Sequence, residues 1–218
     1  QRAADSTYPY FIPGSYITPR GITIENKLAA MSGITTKDMM VLQGNYFNTL
    51  AEDARPILLQ YVKENELDPV AKRFLGIFRE WDLNASPDSK GQTIYQCWWD
   101  SLEIEIWKDE LSRTMQQVPW PEEQVTMELL KKDSALKYID NITTPEKETL
   151  FEVVTIALKK AAADLAKKET EGKLEWTKFK NPTVYHLIKD LKGFARPGLP
   201  VGGNGNIVNA VTHSHGPS

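Results

Sequence analysis

Residues 93–115 read TIYQCWWDSLEIEIWKDELSRTM, 23 positions without a Gly or a Pro. Within them Tyr95, Trp98, Trp99, Leu102 and Ile106 recur at helical spacing. Cys97, Ile104, Leu111 and Met115 fall on the neighbouring flank, with Trp107 close by. A helix on a protein surface shows one narrow apolar stripe. This stretch is apolar over most of its girth near Trp98, which predicts a central helix with other helices packed round it. Its aromatics read as core rather than as a platform for a ligand. Cys97 is the one cysteine of the sequence, so no internal disulfide is possible. Set among tryptophans, it reads as an inert buried thiol rather than a nucleophile.

Helices are expected on both sides of this stretch. Upstream, Asp68-Pro69 is a cap followed by a Pro suited to the first turn. Behind it Val70, Phe74, Ile77, Phe78 and Trp81 fit the i, i+4, i+7, i+8, i+11 template. Pro56 disfavours helical geometry at Arg55, so one helix should end near Ala54 and another should run from Pro56 to about Asn65. The earlier of these starts at Thr35, with Asp38 at the third helical position and Ile34 and Met39 placed as a hydrophobic staple. It carries Met39, Leu42, Tyr46 and Leu50. Residues 22–31 read as a short helix with Ile24 and Leu28 inward, ended by Gly33. Residues 1–21 form an irregular arm broken by Pro9, Pro13, Gly14, Pro19 and Gly21, whose Tyr8, Tyr10, Phe11 and Tyr16 call for a surface to cover. Downstream, residues 84–91 read as a solvated loop. Pro119-Trp120-Pro121 is a corner that opens a helix to about Lys132, followed by a short one over 134–138. Thr144-Pro145 starts the longest remaining helix, to about Lys168, with Leu150, Val154, Ala157, Leu158, Ala161 and Leu165 inward. Residues 174–179, 183–187 and 206–211 read as short strands, and 194–205 as irregular. The expected fold class is mainly α, in a single segment made of the arm 1–21, a helical region 22–172 and a loop-and-strand tail 173–218.

Composition narrows the function classes. With 41% hydrophobic and 25% charged residues the chain suits a globular protein. No apolar run approaches the ~18 residues of a membrane span. A net charge of −3 gives no general argument for nucleic-acid binding. His213 and His215 would point the same way on a strand, but no third metal ligand is suggested nearby. His186, among apolar residues, reads as structural. Gly202-Gly203-Asn204-Gly205 neither follows a clear strand nor opens a helix, so it does not read as a phosphate cradle. Glu103 and Glu105 diverge on a helix. No complete catalytic set emerges from the residues alone. A helical binding module without catalysis is a second reading, and a metal-dependent lyase or hydrolase using His213 and His215 a third. The start at Gln1, the aromatic opening and the Gly-rich approach to Ser218 lead us to expect a processed chain or a segment of something longer.

The two ends carry a resemblance. The opening QRAADSTYPYFIPGSYITPRGITIENKL resembles the large β-chain of the penicillin acylase (penicillin amidase) family, through Tyr8-Pro9, Arg20 and the run from Ile24 to Leu28. The tail GLPVGGNGNIVNAVTHSHGPS is similar to a late β-chain motif, a Gly-rich turn with a Val-Asn-Ala strand. Between them, ITTKDMMVLQGNYFNTLAEDARPIL resembles the family's helix start followed by Gln, Asn, Ala and Pro. The likeness thus covers nearly the whole chain. It implies an N-terminal-nucleophile hydrolase, in which a β-chain Ser attacks an amide carbonyl with its own α-amino group as base. An Asn side chain and a backbone N–H would stabilise the oxyanion. The implied substrates are β-lactam side-chain amides or acyl-homoserine lactones, and the implied partners the rest of the β-chain and the α-chain of one precursor. The resemblance further implies a sandwich of sheets between helices in the parent, a periplasmic or secreted location, and calcium as a possible cofactor of the parent.

This chain would supply the C-terminal part of the β-chain. Gln1 is not Ser, Thr or Cys, and the oxyanion Asn would immediately precede it. Both the nucleophile and that Asn are therefore expected outside the chain. Tyr10, Phe11 and Ile12 stand where some relatives place a calcium-binding Asp, so no cofactor or metal is assigned to this segment. Arg20 maps to the family's supporting Arg; a shifted register puts Thr23 there instead. Tyr8, Tyr10 and Phe11 are the expected substrate-contacting residues. Ser218 reads as the residue before a final strand.

Overall fold

The computed structural model describes residues 18–111, 119–188 and 191–211, with residues 192 and 214–215 described by their backbone alone. Helices α1 (Pro19–Ala29), α2 (Thr36–Gln43), α3 (Thr49–Tyr61), α4 (Pro69–Glu80), α5 (Lys90–Leu111), α6 (Glu123–Lys132), α7 (Leu150–Thr170) and α8 (Trp176–Lys180) follow in chain order. A parallel pair of two-residue strands, β1 (Thr183–Val184) and β2 (Ser214–His215), closes the tail. The described residues are mainly α with little strand, as the sequence predicts.

Helix α5 is the centre of the core. Ile94, Tyr95, Trp98, Trp99 and Leu102 are fully buried, and Ile106 and Trp107 nearly so. It packs chiefly against α7, then α4. The Trp98 indole N–H donates to the Val154 carbonyl of α7 at 3.1 Å, and its ring meets Phe78 of α4 edge-on at 5.2 Å. Burying so large an aromatic face calls for a polar exit for the indole nitrogen, and a carbonyl of α7 supplies it. The helix starts three residues earlier than the pattern suggests. The Ser89 hydroxyl accepts from the Gln92 N–H at 3.1 Å, and Gly91 lies so close to Trp81 that a Cβ there would sit 2.1 Å from Trp81 Cγ.

The caps act largely as read. Asp68 accepts from the Ala71 N–H at 2.8 Å at the head of α4. Thr35 and Asp38 form a reciprocal capping box on α2. Helix α7 begins at Leu150 rather than at Pro145. Glu152 accepts from both the N–H and the hydroxyl of Thr149, a closer box than the Thr144-Pro145 pair offers.

Four local readings are corrected. The helix expected from Thr35 to Ala54 ends at Gly44, and Pro56 lies inside α3 rather than opening a new helix. The break is tertiary in origin. The Asn48 N–H donates to the Leu83 carbonyl, the Ala85 N–H to the Tyr46 carbonyl, and Asn48 recaps the chain at Ala51. Pro56 is exposed, as is Glu52 one turn earlier, so water can serve the carbonyl its ring deprives of a donor. Residues 174–179 are not a strand: 176–180 form α8, whose Trp176 and Thr177 N–H groups donate to the Ser89 and Pro87 carbonyls. A lone strand there would have had no ladder partner, whereas one helical turn places Trp176 and Lys180 on one face. Residues 206–211 are likewise a turn rather than a strand. Asn204 accepts from the Asn206 N–H, and Gly203 sits at φ +77° with Asn209 packed where a Cβ would stand.

Candidate functional site

The two registers proposed for the supporting residue separate on α1. Thr18 caps the helix by accepting from the Gly21 N–H at 3.1 Å, and Pro19 occupies the first turn. Arg20 projects into solvent. Thr23 is buried, its hydroxyl donating to the Pro19 carbonyl at 3.0 Å and meeting the Thr49 hydroxyl of α3. Thr23 thus docks α1 on the helical body, and Arg20 is free to face whatever covers this end. Tyr8, Tyr10 and Phe11 lie outside the described residues, as do His213, Ser218 and the side chain of His215.

A second centre emerges where α5, the head of α6 and the Gly-rich loop meet. Glu123 is the first residue of α6, where the helix dipole favours a negative charge. Its Oε1 accepts from the Tyr95 hydroxyl at 2.8 Å and its Oε2 from Asn206 Nδ2 at 2.9 Å. Burial, reinforced by the nearby Glu103 and Asp100 carboxylates, pushes its pKa up to about 7 against those two hydrogen bonds. Partial burial of their carboxyls also raises Glu103 and Asp100, although Asp100 as a residue stays exposed; Asp100 accepts from Gln96 at 2.8 Å. The Tyr95 hydroxyl is held well above its ordinary range, first by burial and then by Glu123.

Beside Glu123, α8 and the loop bound a cavity of about 560 Å³ lined by Gln96, Asp100, Trp176, Phe179, Lys180 and Asn204 among others. Trp176 and Phe179 stack at 5.6 Å with an interplanar angle of 18°. Trp176 is itself fixed by donating its indole N–H to the Gly203 carbonyl at 2.8 Å. Lys180 is 9% exposed and donates from Nζ to the carbonyls of Gly202, Gly203 and Val211 at 2.6, 2.9 and 2.9 Å. Burial lowers its pKa to about 8. All three of its donors are committed to the loop.

Chemically, Glu123 can exchange a proton near neutrality, and among the described residues its hydrogen-bond partners are Tyr95 and Asn206 rather than a serine, threonine or cysteine. Cys97 is half-buried rather than buried, but its surroundings push the thiol up to about 12, chiefly by burial, so it stays protonated. Half-buried His186 accepts at Nδ1 from the Ile188 N–H at 3.1 Å and lies against the Phe194 ring. Among the described residues no serine, threonine or cysteine is hydrogen-bonded to a histidine, and no group of three His, Cys, Asp or Glu could hold a metal ion. Nor is any described helix long and apolar enough to cross a membrane.

Glu123 and Lys180 pass unnoticed in the sequence. The available signal was Trp176 and Lys180 at i and i+4 ahead of a Gly-rich loop, whose glycines leave carbonyls open to a buried cation. The family model described as Penicillin amidase matches residues 1–218. No curated protein matches the chain.

Proposed function

The chain belongs to the penicillin amidase family, and we propose that it forms the C-terminal β-chain part of an amidohydrolase that cleaves acylated small molecules. The context is that of a penicillin-acylase-like hydrolase; β-lactam side-chain amides or acyl-homoserine lactones are the proposed substrates. The single observation that carries this reading is the family match over residues 1–218. In the mechanism we infer, the nucleophilic Ser, its α-amino base and the oxyanion Asn come from the preceding part of the precursor. The helical body built on α5 supplies a rigid wall, and Arg20 on α1 a cation that orients the oxyanion Asn. Tyr8, Tyr10 and Phe11 supply apolar area for the acyl group. Periplasmic or secreted location, calcium in the parent, and association with the other parts of the precursor belong to the same proposal.

The described residues are compatible with a supporting rather than a reacting role. Acyl transfer needs a nucleophile, a base and oxyanion donors converging on one carbonyl, and among the described residues Glu123 is hydrogen-bonded to no serine, threonine or cysteine. The test compares the 218-residue chain with the full precursor against phenylacetyl amides, β-lactam amides and long-chain acyl-homoserine lactones. The precursor should turn over at least one of them after self-cleavage, and the chain alone none. Turnover by the purified chain that is lost on His213→Ala or Ser218→Ala would overturn the reading and place the reaction in the tail.

A further inference from the structure

We propose that the cavity between α5, α6, α8 and the Gly-rich loop is a binding site for a small organic ammonium with an apolar flank. The inference goes beyond amide hydrolysis and does not need it. Its volume of about 560 Å³ lies in the range of small-ligand pockets. Two carboxylates line it from different elements, Asp100 on α5 and Glu123 on α6. Glu123 uses one acceptor position on each oxygen, for Tyr95 and Asn206, out of the roughly four that a carboxylate offers. The same partners hold the carboxylate still, so a bound ammonium would meet a preorganised acceptor. Asp100, bonded to Gln96, stands exposed at the rim, where an entering cation would meet it first.

Charge decides the sign of the ligand. Lys180 also lines the cavity, but its Nζ is turned onto three backbone carbonyls, leaving it no donor for an anionic ligand. Burial first, and then repulsion from the nearby Glu103 and Asp100 carboxylates, raises the pKa of Glu123. An anion would add to that repulsion; an ammonium would relieve it. The stacked pair Trp176 and Phe179 lines the same cavity and supplies apolar area, with Lys180 Nζ over the Trp176 ring at 5.6 Å and Lys168 Nζ over the Phe179 ring at 4.9 Å. A bare divalent metal is disfavoured, because among the described residues no three acidic, His or Cys side chains converge.

The experiment titrates the 218-residue chain with benzylammonium by calorimetry, with benzyl alcohol, phenylacetate and calcium as comparisons. Saturable one-to-one binding of benzylammonium is expected, with the other three at least about tenfold weaker. Asp100→Asn and Glu123→Gln should each weaken benzylammonium by about tenfold. Asp100 is exposed, so its variant keeps the fold and the comparison stands even if Glu123→Gln lowers the melting temperature. No saturable binding, equal binding of the alcohol or of phenylacetate, preferential binding of calcium, or unchanged affinity in Asp100→Asn would each overturn the proposal.

Discussion

Lys180 shows how much one buried cation can organise. Its three hydrogen bonds reach carbonyls 22, 23 and 31 residues away and tie a segment with little regular structure to α8. Replacing it with Met would keep most of its apolar stem and leave those carbonyls without a donor. We expect Lys180→Met to cost on the order of 3 kcal/mol in denaturant unfolding. The exposed Lys178, paired with Glu175 on the surface, should cost under about 1 kcal/mol as Lys178→Met. Equal losses would show that the loop is held by something else. Glu123 yields a pH prediction. Its folded pKa, about 7, lies above its ordinary carboxylate value of 4.5. Between those values the folded protein binds the proton more tightly than the unfolded chain, so its contribution to stability is present below about pH 4.5 and falls as pH rises to about 7. Carboxylates with lowered pKa, such as Glu152 and Glu169, act in the opposite sense at lower pH. The readout is therefore the difference between wild type and Glu123→Gln, which should change by at most about 3 kcal/mol over pH 4.5–7. A difference that stays flat over that range would mean Glu123 is not buried as described.

At the scale of elements, glycine has opposite meanings in two neighbouring helices. Gly91 lets the head of α5 lie against Trp81, whose own indole donates to the Asn84 carbonyl at 2.9 Å. A methyl there has nowhere to go, because it would meet Trp81 Cγ at 2.1 Å and Cβ at 2.5 Å. Gly76, in α4, has nothing within 4 Å of a built Cβ. Gly91→Ala should therefore destabilise by roughly 1–3 kcal/mol through overpacking, and Gly76→Ala should stabilise by up to about 1 kcal/mol through helix propensity. Thermal melts of the two variants check this pair of opposite signs. If both shift the same way, the close contact between α4 and α5 is wrong.

For the molecule as a whole, the family reading and the described geometry make different demands on two arginines. Arg55 is half-buried, donates to the Trp81 carbonyl and sits over the rings of Phe78 and Trp81 at 5.6 and 5.8 Å. Arg20 is exposed on α1. In the full precursor, Arg20→Ala should lower amidase turnover by about 10²-fold, the scale of losing one transition-state contact, with little change in melting temperature. Arg55→Ala should do the reverse, costing about 1–3 kcal/mol of stability with little direct effect on turnover. Turnover equal in the two variants would remove Arg20 from the mechanism. A loss at Thr23→Ala would need a stability control, since Thr23 joins α1 to α3.

What the chain's own pattern settles is what depends on neighbours within a few turns. The apolar girth of α5 near Trp98, the spacing of Phe74 and Phe78 on α4, and the caps at Thr35 and Asp68 are local, and each reappears in the fold. Tertiary structure decided the rest. Pro56 reads as a helix start in isolation, yet it stays inside α3 because that face of the helix meets water. Residues 174–179 alternate like a strand, but with no strand beside them the chain gains more from a helical turn bonded to the loop before α5. Glu123 meets Tyr95 across 28 residues and Asn206 across 83, and a sequence window holds no trace of either pairing. Such contacts arise because a polar group forced into the core must find a partner wherever the packed chain supplies one, and only the packed chain fixes where that is.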